Sequence, residues 1–78
     1  MMKRYFFDLR EGDELAVDEE GILLSDIEAA EVEAAKSLAD VVRDRADTNT
    51  SGQVTIEVRD ETGIILAELS LQRLTRRQ

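Results

Sequence analysis

Asp18-Glu19-Glu20-Gly21-Ile22-Leu23-Leu24 recurs near the far end of the chain as Asp60-Glu61-Thr62-Gly63-Ile64-Ile65-Leu66. Asp starts turns by accepting hydrogen bonds from its own backbone a few residues on, and Gly takes the positive φ that ends them. The two copies therefore predict two β-hairpins, each turning on acidic residues and a glycine. Between them the periodicity becomes helical. Ser25-x-x-Glu28 reads as a capping box, with the Ser25 hydroxyl as N-cap and Asp26 favourable at the positive helix end. From Asp26 to about Ala46 a helical projection gathers Ile27, Ala30, Ala34, Leu38, Val41 and Val42 in one stripe with Ala35 beside it. Glu33, Lys36, Asp40, Arg43 and Asp44 fall opposite. Glu31 lies inside the stripe and is expected at its edge, with its carboxylate in solvent.

Outside the repeat, Lys3 to Arg10 alternates as a half-buried strand does, with Tyr5, Phe7 and Leu9 on one side and Arg4, Phe6, Asp8 and Arg10 on the other. Arg10-Glu11-Gly12-Asp13 is a turn, Glu14 to Val17 a short strand, and Ile22-Leu23-Leu24 an apolar stretch before the helix. Asp47 to Gly52 is a polar loop. Val54, Ile56 and Val58 then alternate with Thr55, Glu57 and Arg59. The Asp60 turn leads to a last strand, Ile64 to Leu71, in which Ile65, Ala67, Leu69 and Leu71 oppose Ile64 and Leu66. The order β-β-α-β-β, with room for a third short strand before the helix, predicts one α+β domain over residues 1–78. An antiparallel sheet of about four strands forms one layer, one helix covers one face, and a tail frays from residue 72 to 78. Phe6, Ile64 and Leu66 are left on the uncovered face, which makes them a candidate partner surface.

Composition narrows the function further. A chain of 78 residues buries a thin core, and with no Cys and no His it has neither a disulfide nor the usual zinc ligands to reinforce it. Self-association is the remaining support, so a homodimer is expected. Eighteen acids against ten bases give a net charge of −8, which opposes binding to a phosphate backbone, so no nucleic-acid partner is expected. Residues 8–33 hold eleven acids and one base, Arg10. Such a run suits either a solvated surface or a basic protein partner, for which Glu19 and Glu20 are the candidate contacts. No apolar run reaches the ~18 residues of a membrane span, and Asp8 interrupts the N-terminal apolar stretch, so no membrane partner and a cytoplasmic location are expected.

Catalysis finds no machinery in the pattern. Ser25, Ser37, Ser51 and Ser70 lack a histidine base, and the carboxylates sit in turns and on the helix exterior rather than as a facing pair. No window matches the calcium loop of an EF-hand, and the glycines at 12, 21, 52 and 63 are too far apart to cradle a phosphate. Lys3, Arg4, Arg73, Arg76 and Arg77 form a basic patch only if the first and last strands are neighbours. The expectation is a non-enzymatic protein with no cofactor and no metal.

Arg4-Tyr5-Phe6-Phe7-Asp8-Leu9-Arg10-Glu11-Gly12-Asp13, Asp18-Glu19-Glu20-Gly21-Ile22-x-Leu24-x-Asp26, Glu33-Ala34 and Val58-Arg59-Asp60-Glu61-x-Gly63 together resemble a family of small alphaproteobacterial, rhizobial-type proteins classed as a domain of unknown function. The resemblance spans nearly the whole chain. It implies a small cytoplasmic bacterial protein and brings no activity or catalytic residue with it. Gly21 to Ala35 is also similar to antitoxins with a partial ribonuclease-H-like sheet, in which a glycine-containing strand enters a capped, Glu-Ala-rich helix. That likeness implies an acidic module neutralising a basic RNA-binding partner. The expected function is an uncharacterised interaction module or homodimer, with the antitoxin-like module and a small-ligand binder as alternatives.

Overall fold

The computed structural model describes residues 1–44 and 53–72. Among these described residues five strands and one helix follow in the order β1 (Lys3–Glu11), β2 (Glu14–Ala16), β3 (Ile22–Leu24), α1 (Ile27–Asp44), β4 (Gln53–Arg59) and β5 (Ile65–Gln72). Every strand pairing is antiparallel, and the sheet runs β2-β1-β4-β5 with β3 joined to β1. This is the two-layer α+β architecture that the sequence predicts, with the short strand before the helix present as a fifth strand. The helix lies over β4 and β5 and touches β3.

Alternation along β1 sorts its side chains as expected. Tyr5 is buried, and Phe7 and Leu9 pack against a core made with Ala30, Ala34 and Leu38 of α1 and Ile56 and Val58 of β4. Ala30 and Ala34 are fully buried, because a side chain no longer than a methyl lets the helix backbone approach the sheet. Val58 is the largest fully buried side chain among the described residues, so the core is thin. Glu31 is exposed, as expected from its place at the edge of the stripe. On the polar side Lys36 pairs with Glu33 and Arg43 with Asp40, each three residues apart on adjacent turns. The polar loop, 47–52, lies outside the described residues, as do the expected helix end near Ala46 and all of the expected tail but its first residue, Gln72, which ends β5.

Three expectations change. The N-cap is Asp26, not Ser25: Asp26 Oδ1 accepts from Ala29 N at 2.9 Å and its carbonyl accepts from Ala30 N at 3.2 Å, so the helix starts at Ile27. A carboxylate caps as well as a hydroxyl and adds negative charge at the positive end of the helix dipole, which shifts the boundary by one residue.

The two repeat copies also differ in role. Asp60 to Ile64 closes a hairpin: Asp60 N donates to the Ile64 carbonyl, Gly63 N to the Asp60 carbonyl, and Asp60 Oδ1 takes the N–H groups of Thr62 and Ile64. Asp18 repeats that local chemistry, its Oδ1 accepting from Glu20 N and Gly21 N, but joins no hairpin. β2 and β3 both pair with β1, at Leu9–Glu11 and at Lys3–Tyr5, which leaves residues 17–21 opposite only residues 6–8. The extra length bows into a clasp against β1.

The last strand changes register as it starts. Ala67 stands opposite Val58, whereas Ile65 stands opposite Arg59, with the irregularity between Val58 and Arg59. Adjacent residues of β4 face opposite sides, so Ile65 and Ala67 do too, and the strict alternation expected from residue 64 onward breaks at Leu66.

Gly21 and Gly63 both have positive φ, 70° and 92°, but their surroundings differ. A Cβ on Gly21 would lie 2.8 Å from Arg4 Cγ and 2.9 Å from both the Phe6 ring and the Tyr5 carbonyl, whereas one on Gly63 meets nothing within 4 Å. Gly63→Ala is expected to cost about 1 kcal/mol for the left-handed backbone alone. Gly21→Ala should cost at least about 2 kcal/mol, because strain and overpacking add. Urea unfolding of the two variants checks the difference, and equal losses would show that the clasp is loose.

Candidate functional site

The polar side chains facing away from α1 pair across β1 and β4. Cross-strand register sets Phe6 opposite Arg59, Asp8 opposite Glu57 and Arg10 opposite Thr55. Two carboxylates directly opposite would repel, and each is relieved by a cation on the diagonal. Arg59 Nε donates to Asp8 Oδ2 at 2.8 Å, and Arg10 Nε donates to Glu57 Oε2 at 3.4 Å. The Arg59 guanidinium also stacks over the Phe6 ring, 4.5 Å from its centre.

The clasp closes over this pair. Asp18 N donates to Asp8 Oδ1 at 2.9 Å, and Arg59 Nη2 donates to the Asp18 carbonyl at 2.9 Å. Phe7 N donates to Asp18 Oδ2 at 3.1 Å, and Arg4 Nη1 donates to the Glu20 carbonyl at 2.8 Å. Both oxygens of Asp8 and both of Asp18 are thus occupied. Among the described residues, no buried side-chain nitrogen or oxygen lacks a partner. Burial works against the Asp18 carboxylate, but the N–H groups of Gly21, Phe7 and Glu20, with the Arg59 charge nearby, hold its pKa below the ordinary value.

The sequence-predicted contacts do not converge on one surface. Phe6 is half-buried beneath Arg59 rather than free. Ile64 is exposed at the end of the hairpin turn, 60% of its surface in solvent. Leu66, expected on the uncovered face, lines instead an open hollow of about 480 Å³ together with Lys3, Tyr5, Ser25, Asp26 and Ile27. The bulge carries it to the helix side. Glu19 and Glu20 are exposed on the clasp. Arg73, Arg76 and Arg77 lie outside the described residues. Among the described residues no group of three or more acids is placed to hold a metal, and no helix is long and apolar enough to cross a membrane.

Arg59 and Asp8 are the residues that sequence reasoning passed over. They are 51 positions apart, and only the β1–β4 register brings them together. Their one visible signal was a charged side chain at the position of each strand that points away from the helix.

These features define a small two-layer α+β domain whose outer sheet face is locked by an Asp–Arg–Asp clasp. The chain belongs to the family described as a domain of unknown function (DUF6894), which it matches over residues 4–72. No curated protein and no solved structure matches it.

Asp8→Ala should destabilise the domain by about 2–4 kcal/mol, because it strands the Arg59 guanidinium, whose side chain is only 22% exposed, and frees the clasp. Denaturant titration reads this directly. The lowered Asp18 pKa adds a pH dependence: a depressed carboxylate contributes stability that is present above its unfolded value, near 3.8, and is lost as pH falls through the folded value. Thermal melts of Asp18→Asn should therefore lose the part of the wild-type acid sensitivity that lies below about pH 4.

Proposed function

We propose that this chain is a non-catalytic, cytoplasmic interaction module whose working form is a homodimer joined through β5. The supporting observation is the contrast between the two sheet edges. A free strand edge invites pairing with another chain, and proteins blunt it with short strands, bulges, Lys or Pro. One edge is blunted in this way, since β2 and β3 are three residues each and the clasp interrupts them. The other edge is β5, eight residues long and last in the strand order. It contains no Lys and no Pro, and its bulge sits at its start, which leaves residues 67–72 in unbroken register. Ile65, Leu66 and Leu71 are among its exposed apolar side chains.

The thin core supports the same reading, because a chain without disulfide or structural zinc gains most from an added interface. Light scattering coupled to gel filtration at high micromolar concentration should give twice the chain mass. Two copies of net charge −8 repel, so raising salt should tighten the dimer by severalfold. Leu71→Lys should yield a folded monomer. A wild-type monomer at that concentration overturns the proposal and returns the acidic run, with Glu19 and Glu20, to first place as a surface for a basic protein.

A further inference from the structure

We infer that the hollow beneath the start of α1 binds a free α-amino acid with an apolar side chain, its carboxylate taken by Lys3 and the Tyr5 hydroxyl and its ammonium by Asp26. The inference does not depend on how β5 is used.

Lys3 and Tyr5 alternate with Arg4, so both stand on the helix-facing side of β1. β3 ends at Leu24, opposite Lys3, and the helix that begins at Ile27 lies over β4 and β5. Ser25 and Asp26 therefore carry the chain from the β3 edge to the helix layer past these two side chains. Ile27 of the helix and Leu66 of β5 complete the lining. The hollow, about 480 Å³, lies within the roughly 300–1,000 Å³ common to small-molecule sites.

Tyr5 is the observation that points to a ligand. It is only 3% exposed and its ring belongs to the core, and a phenol buried to that degree ordinarily finds a hydrogen-bond partner. Its hydroxyl bonds to none of the described residues. Among those residues no fully enclosed side-chain oxygen lacks a partner, so the little surface that Tyr5 keeps includes this oxygen, and it opens into the hollow that Tyr5 lines. A group entering the hollow meets a fixed donor whose ring is already held in place.

Two opposite charges line the same hollow without meeting. Lys3 pairs with no acid among the described residues, and Asp26 spends Oδ1 on Ala29 N while its Oδ2 accepts no hydrogen bond. The Ser25 hydroxyl, which does not cap the helix, adds a donor and an acceptor beside them. A simple anion would face the Asp26 carboxylate and the net charge of −8, and a simple cation would face Lys3. A zwitterion answers both signs and carries no net charge for the field of the chain to oppose. Its apolar side chain then covers Ile27 and Leu66, the latter 44% exposed in the free protein.

Titrating L-leucine into the isotope-labelled protein and following its amide resonances tests the site. Saturable shifts are expected at Lys3, Tyr5, Ser25 to Glu28 and Leu66, with half-saturation at or below about 10 mM for so small a ligand in an open hollow. Isocaproate, which lacks the ammonium, and isoamylamine, which lacks the carboxylate, should each bind about tenfold more weakly or worse. Lys3→Met and Asp26→Asn, the second of which keeps the helix cap, should each weaken leucine by a similar factor of about ten. Tyr5→Phe should weaken it severalfold and leave the unfolding midpoint nearly unchanged, because the hydroxyl holds nothing in the free protein. Either analogue binding as tightly as leucine overturns the zwitterion assignment. Unchanged leucine affinity in Lys3→Met, Asp26→Asn or Tyr5→Phe overturns the role given to that side chain. No saturable shift up to about 50 mM, or shifts centred on other residues, overturns the site itself.

Discussion

The Asp8–Arg59 ion pair decides the outer face of the sheet. A carboxylate and a guanidinium this far from solvent are costly to desolvate, and each is tolerated because its remaining hydrogen-bonding capacity is used. Asp8 spends one oxygen on Arg59 and the other on the Asp18 N–H, while Arg59 spends a second donor on the Asp18 carbonyl. The pair thus fixes where residues 17–21 run. Once those residues are fixed, β3 is held in register on Lys3 to Tyr5 and delivers the chain to the helix start. The helix then reaches the opposite face of the same sheet, so one outer contact governs where the inner layer begins.

Such a cluster is satisfied internally, and that bears on what the domain does. A carboxylate poised for proton transfer needs a free face and a partner that can leave, whereas Asp8 and Asp18 have every oxygen engaged. Exposed apolar side chains remain at both edges of the sheet, Leu15, Val17, Ile22 and Leu23 beside the clasp and Ile65, Leu66 and Leu71 on β5. The β2–β3 edge, interrupted by the clasp, and the longer β5 edge belong to the same sheet, and it is this contrast that supports the proposed pairing through β5.

Much of the fold was legible because it depends on short-range chemistry. Alternation identified β1 and β4, the 3.6-residue stripe identified α1, and the two Asp-to-Gly stretches identified the tight local structures. Leu66 shows where legibility ended. Its face depends on a one-residue irregularity opposite Val58 and Arg59, and a shift of one residue reverses which side every later side chain takes. The candidate contacts Phe6, Ile64 and Leu66 were scattered by that shift and by the stacking of Arg59 on Phe6.

The sequence by itself determined the class of fold, the positions of the turns and the helix, and the absence of disulfides and histidine chemistry, since each follows from residues within a few positions of one another or from composition. The tertiary structure alone decided that two similar Asx turns, at Asp18 and Asp60, make a clasp in one place and a hairpin in the other. An Asx turn fixes the local bend of the backbone, whereas what the next strand pairs with depends on partners more than ten residues away. It also decided that Asp8 and Arg59 meet, because register between distant strands is set by the whole sheet.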